Sequence, residues 1–238
     1  MALVNQSVDI LFLAYNRLAF TQESFKALLE NTDWQYVQRL SVYDDGSTDG
    51  TREWLKEAVK QVPVTVAFRD TMFRSAVRSQ RYWIATATTP LLAKCDCDAV
   101  FPPGWLASSL DVMDRHPELS LLGIEAMYAC NMNRELKRSY SPSRFISGLG
   151  VYRREAWRGD MQNKGRYWGL EEWQLSRTDL KRGWITPSLA VILLDRIPLE
   201  PWKSLSDEYV KKGWQRLGLP TAQYGMNRSD IWEWRFSK

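Results

Sequence analysis

The stretch Leu40-Ser41-Val42-Tyr43-Asp44-Asp45-Gly46-Ser47-Thr48-Asp49-Gly50-Thr51 decides the fold. A short strand-forming run stops at a segment dense in Asp, Gly and Ser, the composition of a turn. From about Arg52 a helical pattern takes over, with Trp54, Leu55, Ala58 and Val59 on one face. A strand that ends in a polar turn and feeds a helix is the repeating half of a βαβ unit.

The same arrangement recurs on both sides. Upstream, residues 8–14 form an apolar run suited to a buried strand, ended by Tyr15-Asn16-Arg17. Thr21 is placed to cap the next helix, with Phe20 and Phe25 as a hydrophobic staple. Downstream come a strand at 64–68, a helix at 75–87 and a strand from 90 that runs into Asp96-Cys97-Asp98. A helix at 105–115, stopped by His116-Pro117, and a strand at 119–124 complete the series. This alternation predicts an α/β fold with a mainly parallel central sheet flanked by helices. Ligands of such sheets bind at the carboxyl ends of strands, where residues 15–17, 44–49 and 96–98 place three polar clusters.

Beyond residue 130 the periodicity weakens. A Gly-rich entry leads to a strand at 147–152, a helix is expected over 173–182, and a strand at 190–194 ends at Asp195. Pro198 and Pro201 mark a linker, and 205–217 reads as an amphipathic helix stopped by Gly218. We expect one domain over 1–197 and a short helical C-terminal extension over 198–238 packed on it.

Composition sets outer limits. The 238 residues are 45% hydrophobic and 25% charged, ordinary globular usage that excludes wholesale disorder, collagen and coiled coil. No apolar run reaches the roughly 18 residues of a transmembrane helix, and the N-terminus lacks the pattern of a signal peptide. Three Cys form no complete disulfide framework, and Cys95 and Cys97 are too close in an extended segment to bridge easily. We therefore expect a reducing, cytoplasmic setting, with peripheral membrane attachment through the basic C-terminal helix as the alternative. A Cys-x-Cys pair with one His in the chain makes a poor zinc site. The net charge of +4 admits an anionic ligand without selecting one. The 12 Trp suit core filling and stacking on sugars or bases alike.

Asp96-Cys97-Asp98 carries the clearest chemical suggestion. Two carboxylates at a strand end can hold Mg²⁺ or Mn²⁺, which bind one or two carboxylates and take further oxygens from water and phosphate. Taken alone, a solvated strand end is the better explanation of the pair. On local composition alone the Asp44-Asp45 pair serves the turn. Asp49, just before the helix, reads as a cap.

The Val42–Thr51 string resembles the nucleotide-binding segment of the family 2 glycosyltransferases, which have the GT-A fold, a Rossmann-like sheet. The resemblance continues in order through Tyr15-Asn16-Arg17, Ser75-Ala76-Val77-Arg78, Asp96-Cys97-Asp98 and Tyr167-Trp168-Gly169-Leu170-Glu171-Glu172-Trp173. Ser79 stands where the family usually has Asn, and Glu172 where it usually has Asp. The resemblance implies a metal-dependent, inverting transfer of a sugar from a nucleotide-diphosphate sugar, a UDP-sugar favoured. It implies Asp98 as a direct ligand of Mn²⁺ or Mg²⁺, with Asp96 facing the ribose or the metal's water shell. Asp195 stands where many relatives place a metal-binding His. Ala14, Tyr15, Arg17, Asp44, Asp45, Asp96, Arg78 and Trp168 are expected around the nucleotide and donor sugar, with Arg74 a weaker candidate. Glu172 is the expected general base, and Glu171 binds donor hydroxyls or takes that role itself. The acceptor is a hydroxyl of a glycan, a lipid-linked sugar or a hydroxylated DNA base. The competing readings are a sugar nucleotidyltransferase, which would need a Gly-rich loop where Ala14-Tyr15-Asn16-Arg17-Leu18 stands, and a non-catalytic carbohydrate- or nucleic-acid-binding module.

Overall fold

The computed structural model describes residues 7–71, 75–124, 139–143, 146, 149–157, 177, 179–186, 191–194, 201 and 204–205. Its elements run β1 (Val8–Ala14), α1 (Leu18–Asn31), β2 (Val37–Asp44), α2 (Thr51–Ala58), β3 (Thr65–Asp70), α3 (Ala76–Thr86), β4 (Leu91–Asp96), β5 (Ala99–Val100) and α4 (Trp105–Arg115). Then follow β6 (Leu121–Gly123), β7 (Ser139–Pro142), β8 (Gly150–Arg153), β9 (Arg182–Thr186) and β10 (Ile192–Leu193). The chain divides into two compact units, Met1–Ile192 and Leu193–Lys238. In the second, Leu194 is buried and Pro201 exposed.

The first unit is built on an eight-stranded sheet in the order β3-β2-β1-β4-β8-β6-β9-β7. The β3-β2-β1-β4 half is parallel, as the strand–helix alternation predicts. β8 then runs antiparallel to both β4 and β6, and β7 antiparallel to β9. β1 lies between two neighbours, so Val8, Ile10, Leu11, Phe12 and Ala14 are all buried. Successive side chains serve opposite faces of the sheet. On one, Phe12 meets Phe25 of α1 edge to face at 5.1 Å, and Phe25 meets Trp54 of α2 at 5.9 Å. On the other, Leu11 joins a cluster with Tyr43, Trp83, Leu92, Leu121, Tyr152 and Trp157. Trp83, Trp105 and Trp157 are buried, so part of the high Trp content fills the core. No helix among the described residues is long and apolar enough to cross a membrane.

Local expectations were corrected in three places. α1 begins at Leu18 rather than after Thr21, because Asn16 and Arg17 adopt left-handed φ values of 53° and 64° and turn the chain early. Thr21 is buried inside the helix, and the Leu18 N–H is capped from outside by Asp49 Oδ2 at 3.0 Å. The helix expected to reach 182 does not: Arg182–Thr186 is strand β9, with Gly183 paired to Leu122 and Pro142. The Trp184-Ile185-Thr186 run is strand-forming, and Arg182 is held back by donating to the Arg177 carbonyl at 2.7 Å. β7 lies in a Lys- and Arg-bearing stretch whose pattern gave no strand signal. The extension expected over 205–217 lies, from 206 onward, outside the described residues.

Candidate active site

Parallel pairing brings four strand ends level with one another. Ala14 is in register with Asp44, Asp44 with Asp70, and Leu13 with Asp96. The carboxyl ends of β2, β3 and β4 therefore each carry a carboxylate at this edge, beside the end of β1.

Asp44 is fully buried. Its Oδ2 accepts the backbone N–H groups of Gly46 and Ser47 at 3.0 and 2.8 Å. The Arg52 Nε donates to the same oxygen at 3.2 Å, and the rest of that guanidinium spans to the Ser47 carbonyl at 3.3 Å and Asp70 at 2.8 Å. Asp44 thus holds its own turn closed, and Gly46 supplies the positive φ of 90° that the turn requires. Asp44 Oδ1 is buried with no hydrogen-bond partner among the described residues. An orphaned carboxylate oxygen of this kind is costly unless a ligand donor meets it.

Asp45 is occupied differently. Its N–H donates to the Ala14 carbonyl at 2.9 Å. Its Oδ2 accepts the Ser75 N–H at 2.6 Å, and its Oδ1 accepts the Thr71 hydroxyl at 3.0 Å and the Ser79 hydroxyl at 3.5 Å. Both oxygens tie β2 to the start of α3. Ser75 caps that helix, accepting the Arg78 N–H at 3.4 Å. The Arg78 side chain is exposed in the first turn of α3, and Ala14 contributes through its backbone carbonyl.

The loop after β1 is stitched to the β2 turn by Asn16. Its N–H donates to Ser47 Oγ at 2.7 Å, and its Oδ1 accepts the Thr48 N–H at 2.9 Å. Asp49 accepts from both the Thr51 N–H and its hydroxyl, at 3.1 and 2.6 Å, so it serves as a cap. Tyr15 is half-buried beside this junction, and its backbone supplies a hydrogen bond to the Cys97 thiol. Two residues on, the Arg17 guanidinium pairs with Asp98 Oδ2 and lies over the Phe20 ring, its central carbon 5.5 Å from the ring centroid.

Asp96 ends β4, and Asp98 sits in the turn to β5. The intervening Cys97 is buried, and burial, then the neighbouring Asp98 charge, pushes its thiol up to about 12. Asp96 Oδ1 pairs with Lys94, an ammonium that is 4% exposed inside β4. Two hard carboxylates at a strand end match the donor chemistry of Mg²⁺ or Mn²⁺ together with phosphate oxygens. Among the described residues no third His, Cys, Asp or Glu completes a metal-binding group.

Ala14, Tyr15, Arg17, Asp44, Asp45, Asp96, Asp98 and Arg78 therefore lie on one sheet edge or on the loops and helix that border it. Trp168, Glu171, Glu172, Asp195 and Arg74 lie outside the described residues. His116 is not at this edge: it ends α4, with its ring against Tyr140 at 4.9 Å and its Nε2 3.2 Å from Ser139 Oγ. Sequence reasoning missed Arg52 and Lys94. A basic residue in the first helical turn after an Asp-rich turn was a readable sign of the first. A Lys inside Leu91-Leu92-Ala93-Lys94-Cys95 was a sign of the second.

The family model described as glycosyl transferase family 2 matches residues 9–169. No curated protein matches the chain. Among solved structures, a fragment of TarS from S. aureus is similar at 11% identity with a TM-score of 0.58, covering 88% of this chain and 72% of that one. The mannosyltransferase PcManGT from Pyrobaculum calidifontis, in complex with GDP-Man and Mn²⁺, matches at 13% identity and a TM-score of 0.59, covering 88% and 63%. GalNAc-T7, with UDP, GalNAc and Mn²⁺, matches at 15% identity and a TM-score of 0.60, covering 86% and 48%. At these identities the likeness concerns the fold, and the chain spans less than two thirds of the last two proteins.

Proposed function

The chain belongs to glycosyl transferase family 2, and from that premise we propose that it is a metal-dependent, inverting enzyme that moves a sugar from a nucleotide-diphosphate sugar to an acceptor hydroxyl. A UDP-sugar is the favoured donor. The observation that supports this most is the buried Asp44 Oδ1 at the carboxyl edge of the sheet, which has no hydrogen-bond partner among the described residues while its partner oxygen secures the turn. A pyrimidine N–H or a ribose hydroxyl is the donor that such an oxygen would accept.

Around that anchor each residue has a distinct task. Asp45 fixes the first turn of α3 so that Arg78 can reach the diphosphate. Arg17 and the backbone of Ala14 and Tyr15 border the nucleotide from β1. Asp98 and Asp96 would hold Mg²⁺ or Mn²⁺, with Asp195 as a further oxygen ligand. When bound, the metal would supply Lewis-acid neutralisation of the charge on the departing diphosphate. Trp168 would stack on the donor sugar. The acceptor hydroxyl gives its proton to Glu172, or to Glu171, as its oxygen attacks the anomeric carbon and the nucleoside diphosphate leaves from the opposite face. The acceptor is a glycan, a lipid-linked sugar or a hydroxylated base in DNA. The free, buried Cys95 and Cys97 support a reducing compartment.

The test is donor hydrolysis. Protein with Mn²⁺ or Mg²⁺ is offered a panel of UDP-, GDP- and dTDP-sugars, and nucleotide release is followed, with Asp98→Ala as control. Release from one donor, lost in Asp98→Ala, is expected. Calorimetry with UDP and GDP accompanies it, and failure to bind either nucleotide overturns the reading.

A further inference from the structure

Each carboxylate of the acidic pair already has a cation from the chain: Lys94 lies on Asp96 and Arg17 on Asp98. Neither arrangement is incidental to the fold. Lys94 is in register with Leu11 of β1 and Gly150 of β8, in a strand whose Leu91, Leu92, Ala93 and Cys95 are buried. An apolar side chain would fill that place without the desolvation cost of an ammonium, which burial makes severe unless a carboxylate meets it. Arg17 reaches Asp98 from a backbone at φ 64°, uncommon for a non-glycine residue, with its guanidinium over the Phe20 ring.

Resting on the glycosyltransferase reading above, we propose that Lys94 and Arg17 are the resident counter-ions of Asp96 and Asp98, and that a divalent cation enters the pair only by displacing them. Two carboxylates and two cations balance to zero, so the nucleotide-free site offers a dication little net attraction. Displacement also leaves an ammonium and a guanidinium beside the incoming charge. A diphosphate removes that obstacle, because its oxygens accept the fork of Arg17 and share the cation. Metal and nucleotide affinities are then coupled, each raising the other by the same factor. Lys94 and Arg17 are positioning residues that set when the metal binds.

The experiment measures Mn²⁺ binding without activity, by loss of the paramagnetic resonance signal of the free ion. Wild type, Arg17→Met and Lys94→Met are titrated with Mn²⁺ alone, with Asp98→Asn as the blank. Arg17→Met and Lys94→Met are expected to bind Mn²⁺ on the order of tenfold tighter than wild type. Added UDP should then strengthen Mn²⁺ binding in wild type more than in either variant. Equal or weaker Mn²⁺ binding by the variants overturns the proposal. Arg17→Met decides the matter if Lys94→Met does not fold, since Arg17 lies in a loop. Failure of wild type to bind UDP or GDP sinks the glycosyltransferase reading, while the Mn²⁺-only titration still decides the counter-ion role.

Discussion

The Ser75 N–H donates to Asp45 Oδ2 at 2.6 Å, across 30 residues of sequence, and this bond joins the end of β2 to the first turn of α3. With Thr71 and Ser79 on the other oxygen, Asp45 is committed to the scaffold. Asp45→Ala would strand these donors in a buried place and is expected to cost about 1–3 kcal/mol in urea unfolding. Asp45→Asn should cost less, since a carboxamide keeps an acceptor for Ser75 and offers its own N–H groups to the two hydroxyls. Equal losses in both variants would contradict this account.

In the proposed function Asp44 divides its two oxygens between fold and ligand. Asp44→Asn retains an acceptor for the Gly46 and Ser47 N–H groups but turns a donor toward the place of Oδ1. UDP affinity is expected to fall about tenfold, or roughly 1.4 kcal/mol. Calorimetry on the variant reads this directly, and unchanged affinity would remove Asp44 from the nucleotide site.

Much of this edge was legible in the sequence because strand ends announce themselves. An apolar run broken by polar residues fixes where β1, β2 and β4 stop, and parallel pairing then brings Asp44 and Asp96 to one edge. The separate roles of Asp44 and Asp45 were not legible. They depend on contacts with Thr71, Ser75 and Ser79, partners set by the packing of α3 rather than by local pattern. The start of α1 was missed for a related reason: its cap, Asp49, comes from a distant loop. β9 and β7 escaped notice because short strands in mixed pairings carry little periodicity of their own.

At the opposite end of β1, Asp9 is 1% exposed and accepts from Trp83 Nε1 at 2.8 Å, Ser41 Oγ at 2.9 Å and Arg39 Nε at 2.6 Å. Burial raises its pKa above 3.8, partly offset by the Trp83 bond and the Arg39 charge. Folded Asp9 therefore binds more protons than unfolded Asp9 in the pH range just above 3.8. Its contribution to stability falls as pH rises through that range and levels off above the folded pKa. The difference in unfolding free energy between wild type and Asp9→Asn, measured from pH 4 upward, is expected to decline and then flatten. A rise instead would mean that the Arg39 pairing outweighs burial.

Burial also silences the thiols beside the acidic pair. With Cys97 pushed up to about 12 and Cys95 raised by burial as well, almost no thiolate exists at pH 8 in the folded protein. In a Cys130→Ser background, a disulfide reagent should leave Cys95 and Cys97 unmodified until denaturant is added. Rapid labelling of the native protein would show that the strand end opens.

The same strand end depends on a close approach by β8. Gly150 is in register with both Lys94 and Gly123, and a methyl group on it would lie 2.5 Å from the Leu122 carbonyl oxygen and 3.3 Å from its carbon. Those are backbone atoms of β6, which cannot rotate aside as a side chain can. Gly150→Ala must push β8 away from β6, at an overpacking cost of about 1–3 kcal/mol. Gly104→Ala makes the comparison, because its φ of 70° is strained for alanine while nothing lies within 4 Å of the new methyl. That variant should lose about 1–2 kcal/mol from backbone strain alone and leave nucleotide binding intact. Gly150→Ala, by moving the partner of Lys94, should lower both the urea midpoint and the UDP affinity. A Gly150→Ala protein that keeps wild-type UDP affinity would uncouple the antiparallel half of the sheet from the acidic pair.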